Sequence, residues 1–184
     1  MPSKGKTKGN GWEREVADFL SELYGESFVR VPNSGAFIGG KNSHRKTNLS
    51  EQQIRGFKGD IIPGPSFPNL NLEAKFYKDF AFHQVLNGSC KQLDDWISQI
   101  YLTADDNDVN LLTMKFNRKG AYIAFEMKNT PPFKTGANYM RYHTEKNGPW
   151  IIMGFEKFWE LNGDMVKQLS SKDLTFDVDI AQQV

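Results

Sequence analysis

Apolar side chains recur at helical spacing near the start of the chain. In GWEREVADFLSELYG, the residues Trp12, Val16, Phe19, Leu20 and Leu23 fall on one stripe and Gly25 follows, which predicts a helix over about 10–24. SFVRV, ending at Pro32, reads as a short strand. The stretch that follows, NSGAFIGGKNSHRKTNLSEQQIRGFKG, loses the apolar period and is rich in Gly, Asn, Ser and basic residues. It predicts a long loop, and loops of that length inside a compact domain usually serve function or move. DIIPGPSFPNLNLEAKF then holds two strand-like runs around a turn containing Pro63, Gly64, Pro65 and Pro68.

Farther along, Val85, Leu86, Leu93, Trp96, Ile97, Ile100 and Tyr101 predict a helix over about 83–102, interrupted at Gly88. VNLLTMKFN and AYIAFEM read as two strands joined by the turn NRKG. NTPPFKTGANYMRYHTEKNG reads as irregular, WIIMGF as a strand and EKFWELNG as a short helix. That order predicts an α/β (or α+β) fold, a mixed central sheet flanked by helices.

The chain has 184 residues, the size of one domain with a substantial core. Hydrophobic residues at 39% and charged residues at 24% describe an ordinary globular protein, and no apolar run approaches the ~18–20 residues of a membrane span. No signal peptide heads the chain, and the one cysteine, Cys90, excludes an intrachain disulfide framework and a thiolate metal cluster. Both point to a reducing, cytoplasmic location. Net charge is only +1, but it is unevenly spread. MPSKGKTK carries three lysines and no acid, and the segment from Phe28 to Lys58 carries Arg30, Lys41, Arg45, Lys46, Arg55 and Lys58 against Glu51 alone. A basic N-terminal third is compatible with a nucleic-acid face and equally with solvated loop charge.

NLNLEAKF, residues 69–76, places a carboxylate and an ammonium on an otherwise apolar strand. Alternation puts Leu70, Leu72, Ala74 and Phe76 on one face and Asn71, Glu73 and Lys75 on the other. Asp60 stands thirteen residues before Glu73, across the proline-rich turn, so neighbouring strands can bring the two carboxylates to one point. Two converging carboxylates, completed by waters and a substrate phosphate, are a way of holding Mg²⁺. The bland alternative is a cross-strand ion pair on a wet surface, worth about 0–1 kcal/mol.

A second segment changes the weighting. KGNGWEREVADFL followed by FVRVPNSG supplies Lys8-Gly9, then Glu13-Arg14-Glu15 on the first helix, Arg30 on the first strand and Ser34 four residues on. With Asp60 and the Glu73-x-Lys75 pair in the same order, the chain resembles the archaeal-type Holliday-junction resolvases. Those are small homodimers of the restriction-endonuclease-like, PD-(D/E)xK, nuclease superfamily. The resemblance covers about residues 8–128 of a single nuclease domain. It implies a restriction-endonuclease-like core, Mg²⁺ as cofactor with Mn²⁺ able to substitute, and branched DNA, chiefly four-way junctions, as substrate. It also implies Asp60 and Glu73 as the main metal ligands, Glu13 as an additional carboxylate and Lys75 as the catalytic lysine. Arg14, Arg30 and Ser34 would contact DNA near the scissile phosphate, with Lys8 also on the DNA-binding face.

Two departures stand out. Gly59 precedes Asp60 where the superfamily name has proline, and a basic insertion over about 36–58 adds Lys41, Arg45, Lys46, Arg55 and Lys58 just before the metal site. Phosphate contacts from such residues give affinity without sequence choice. An extension over about 129–184 also has no counterpart in the small resolvases. Apolar residues of the second helix (Trp96, Ile100) or this extension are candidates for a dimer contact. His44, His83 and His143 are too scattered for a zinc or histidine-metal site, with His83 and Gln84 at the start of the helix after Lys75. GGKN and GKTKG do not form a nucleotide-binding loop. Phe76, Tyr77, Phe80 and Phe82 suit base stacking, core packing or a dimer contact. The rival functions are a nicking, restriction-like or exonucleolytic activity on duplex DNA, and an architectural DNA-binding protein with an idle metal site.

Overall fold

The computed structural model describes residues 4–31 and 58–171, of which residues 4–10 are described by backbone alone. The first helix, α1 (Lys4–Tyr24), starts six residues before the predicted stripe and ends where predicted. Its close is local chemistry. Gly25 takes φ +64°, and its N–H reaches the Ser21 carbonyl at 2.9 Å. The Ser21 hydroxyl in turn accepts the Phe28 N–H at 2.9 Å, which aims the chain into β1 (Val29–Arg30).

β1 pairs antiparallel with β2 (Ile61–Ile62). The long central strand β3 (Leu70–Tyr77) follows, then α2 (Phe82–Leu86) and α3 (Lys91–Tyr101). The predicted helix over 83–102 is thus two helices, parted around Gly88, whose φ is +71°. β4 (Val109–Phe116) and β5 (Gly120–Glu126) form the predicted hairpin. Two elements exceed expectation. β6 (Tyr139–Thr144) lies in the stretch read as irregular, and α4 (Phe155–Ser170) is twice as long as the short helix expected, with β7 (Gly148–Gly154) leading into it.

The five-stranded sheet has the order β3-β4-β5-β7-β6. β3 and β4 are parallel and the other pairs antiparallel, so the sheet is mixed, as predicted. Alternation divides it into two cores. Leu70, Leu72, Leu111, Ile123 and Phe125 pack under Trp12, Val16 and Leu20 of α1 and Phe155, Phe158 and Trp159 of α4. Leu112, Met114, Phe116, Ala124 and Ile152 pack on the opposite face against Leu93, Trp96 and Ile97 of α3. The result is a helix–sheet–helix sandwich with an apolar core on each sheet face.

Residues 129–171 are woven into this plan: β7 sits inside the sheet between β5 and β6, and α4 fills the larger core. Trp96 and Ile100 are 5% and 1% exposed, so these two side chains are core and not the apolar dimer surface entertained above. Among the described residues, no helix is long and apolar enough to cross a membrane.

Candidate active site

β3 is an edge strand of the five-stranded sheet, and what lies along its free edge creates the site. An unpaired edge exposes N–H and C=O groups that need partners. Here residue 60 supplies them. The Asp60 N–H donates to the Leu72 carbonyl and its Oδ2 accepts the Ala74 N–H, both at 2.9 Å. On its other side the Asp60 carbonyl accepts the Val31 N–H at 2.9 Å, so Asp60 bridges β1 and β3.

Gly59 makes this approach possible. Its φ is +58°, and a Cβ there would lie 2.4 Å from the Leu72 carbonyl oxygen. No other residue type fits without moving Asp60 off the strand.

Glu73 and Lys75 project to the face opposite Leu72 and Ala74, as alternation predicts. The Lys75 ammonium donates to Glu73 and lies 4.0 Å from Asp60 Oδ2. All three side chains are largely withdrawn from solvent, Glu73 with 5%, Asp60 with 7% and Lys75 with 14% exposed. Burial, and then the charge of Asp60, push the Glu73 carboxyl up to about 8 against the pull of Lys75. For Lys75, burial works to remove the proton, but Glu73 and Asp60 together outweigh it and hold the ammonium.

Glu13 joins from α1. It pairs with Arg30 of β1, a contact that links two residues seventeen apart. Burial raises the Glu13 carboxyl, Arg30 opposes that, Asp60 adds to it and Lys75 opposes it, which places Glu13 in the same electrostatic neighbourhood. Its neighbours on the helix face elsewhere: Arg14 is exposed, and Glu15 pairs with Lys115, whose ammonium also lies 5.0 Å from the Trp12 ring centre.

Lys58 is not brought to the site's surface. It is buried and donates to both oxygens of Asp108, at 2.9 and 2.7 Å, with Asp105 at 2.6 Å. A lysine spent this way is an anchor for the chain entering Gly59-Asp60 rather than a phosphate contact. Ser34, Lys41, Arg45, Lys46 and Arg55 lie outside the described residues, and of Lys8 only the backbone is described.

The sequence reading passed over Asp108, which appeared as one acid in the polar run ADDND. Its signal, an acid just before a strand, is too common to single out. It also passed over a buried polar relay: Asn71 donates to Asn110, Asn110 to Glu126 and Tyr101 to Glu126, at 2.9, 3.1 and 2.7 Å. Asn71 and Asn110 are register partners on β3 and β4, a relation visible only once the strands are paired.

Among the described residues no group of three or more His, Cys, Asp or Glu side chains is arranged to hold a metal ion. Asp60 and Glu73 nonetheless fit a divalent cation of the hard, oxygen-seeking kind. Such ions take one or two carboxylates and complete their shell with water and substrate phosphate. The pair is buried and the two charges repel, as the raised Glu73 shows, so a divalent cation placed between them would relieve that repulsion. When bound, the cation would supply a more acidic water and a counter-charge for phosphate oxygens. Lys75 adds a fixed positive charge beside the same point, suited to hold a phosphate oxygen or orient a water. Ala74 keeps the Asp60 carboxylate from rotating away.

The family model described as "Phage putative PDDEXK endonuclease" matches residues 4–168. No curated protein and no solved structure matches the chain. The matched span runs from the first helix through the last and contains Glu13, Asp60, Glu73 and Lys75. The chain therefore belongs to this PDDEXK endonuclease family and is a metal-dependent phosphodiesterase with DNA as its substrate.

Proposed function

We propose that the protein is a Mg²⁺-dependent, structure-specific endonuclease that hydrolyses phosphodiesters of branched DNA, chiefly four-way junctions, and acts as a homodimer. The observation that carries the reading is the Glu13–Arg30 pair, with Glu13 within the electrostatic reach of the paired Asp60 and Lys75. Those four residues come from α1, β1, the segment before β2, and β3, and all four are among those the resolvase resemblance names.

Asp60 and Glu73 bind the metal in this reading, with Mn²⁺ able to substitute. Glu13 adds a carboxylate at the border of the site. Lys75 orients the attacking water and offsets charge on the scissile phosphate. Arg30, partly exposed beside Glu13, touches the phosphate or its neighbour, and exposed Arg14 extends that contact along the helix. Lys8, Ser34, Lys41, Arg45, Lys46 and Arg55 add phosphate contacts that raise affinity without sequence choice. Two symmetric incisions in a four-way junction call for two sites related by a twofold axis, which a homodimer provides.

The test is cleavage of a synthetic four-way junction with Mg²⁺, beside a linear duplex of the same arm sequence, with incisions mapped on all four strands. Paired, symmetric cuts near the branch and a dimeric mass by light scattering are expected. Equal cutting of duplex would replace this reading with a nicking or restriction-like activity.

A further inference from the structure

We infer that the groove between Tyr77 and the helices α2 and α3 is a subsite for an unpaired nucleobase adjoining the scissile phosphate. This deepens the nuclease reading and rests on it for the position of the phosphate.

β3 sends Glu73, Lys75 and Tyr77 to the same face in succession. Each two-residue step along a strand covers about 6.7 Å, close to the reach of one unstacked nucleotide. Tyr77 therefore stands one nucleotide beyond Lys75.

The groove has a volume of about 590 Å³ and is lined by Tyr77, Trp96, Gln84, Gln92, Gln99 and the Lys91–Asp95 pair. Tyr77, the last residue of β3, is 43% exposed. Its ring is braced from behind: the Trp96 ring lies 4.9 Å away, and Trp96 is stacked in turn on Phe80 at 5.7 Å. A braced, exposed ring is a stacking platform that loses little freedom when a flat group lands on it.

The remaining lining selects what that group is. Lys91 pairs with Asp95 at 2.7 Å on the solvent-facing rim, so the lining carries one charge of each sign and no net charge that favours a phosphate. Three glutamine amides offer donors and acceptors to a neutral partner with a polar rim. A nucleobase has that rim and a π face. Its face is free for Tyr77 only when it has left the base stack, as at a branch or a single-stranded flank.

The experiment places 2-aminopurine at successive positions on either side of the mapped incision in a branched DNA. The full chain is bound to it without divalent metal. Wild type and Tyr77→Phe should change the fluorescence at one or two positions on one side of the incision. Tyr77→Ala should lose that change, and Glu73→Gln should keep it. Tyr77→Ala should also lower kcat/KM on branched DNA about fivefold or more while sparing duplex. The double variant Gln84→Ala/Gln92→Ala, which removes amides and leaves the Tyr77–Trp96 contact intact, should weaken the signal and preserve the melting temperature. A signal that ignores Tyr77, or an equal loss on branched and duplex DNA, overturns the subsite while the nuclease reading stands. A Tyr77-dependent signal beside an incision that maps to a single-stranded flank and not to a four-way junction keeps the subsite and overturns the junction-cutting reading.

Discussion

The Asp60 carboxylate accepts the backbone N–H of Ala74 at 2.9 Å. The residue between Glu73 and Lys75 in the chain therefore holds the third member of the site in space. Side chains at 73 and 75 leave one face of β3, whereas the N–H of 74 points along the sheet plane to the free edge. An acid seated on that edge flanks both neighbours at once.

Asp60→Asn keeps an acceptor for Ala74 and removes the charge. Mg²⁺-dependent cleavage should fall by about 10³-fold or more, because in the proposed site Asp60 is one of the two main anionic ligands of the metal. The metal-free protein should melt no lower than wild type, since Asp60 repels Glu73. Cleavage rates together with thermal melts in chelator check both halves, and retained cutting would remove Asp60 from the site.

Glu73 yields a pH prediction. Its carboxyl is raised from 4.5 to about 8, by burial first and Asp60 second. The folded state holds this proton more tightly than the unfolded chain does, so the group's stabilisation is complete below about 4.5 and is lost as pH climbs to about 8. In chelator, the melting temperature should decline across that window, and Glu73→Gln should flatten the decline. A divalent cation competes with the same proton. Calorimetric Mg²⁺ affinity should therefore rise with pH through the window and level off above it.

The buried Lys58–Asp108 contact holds the approach to the site, and breaking it from one side should be costly. Asp108→Ala leaves the ammonium to Asp105 alone, whose side chain is 57% exposed. Loss of a buried partner typically costs about 3–5 kcal/mol, and the lower end is expected here because Asp105 remains. Urea denaturation measures it. The double variant Lys58→Met/Asp108→Ala should recover part of the loss, having no stranded charge.

Gly59→Ala tests the left-handed residue. Its Cβ would sit 2.4 Å from the Leu72 carbonyl, and φ +58° adds about 1–2 kcal/mol of strain. The cheapest relief is for residues 59–60 to shift off β3, which displaces Asp60. Activity should fall at least about tenfold, with a higher Mg²⁺ requirement, and melting should change modestly. An unaltered metal requirement would show that Asp60 need not be held so closely.

Much of the fold was legible because it follows from short-range physics. The stripe Trp12–Val16–Leu20, the alternation in NLNLEAKF and the NRKG hairpin appear in the structure where the pattern put them. β6 was missed because only Met140 and Tyr142 face inward while Arg141 and His143 face out, leaving a short, weak alternation after a proline pair. α4 was cut short at Gly163, an expected stop. The helix continues to Ser170 because Val166 and Leu169 extend the Phe158–Asn162 stripe into the larger core, and that burial outweighs a glycine cost of about 1 kcal/mol.

By itself the sequence determined which residues share a face, where most elements lie, and that Asp60, Glu73 and Lys75 stand in an order suited to metal-dependent cleavage. Those properties depend on periodicity and chain order. Only the tertiary structure decided that Lys58 is buried on Asp108 rather than open to phosphate, that Glu13 meets Arg30, that Asn71 finds Asn110, and that Tyr77 is exposed while Phe80 is buried. Each depends on contacts between elements distant in the chain. Charge and aromaticity say what a side chain can do, and packing alone decides whether a partner has already been found for it.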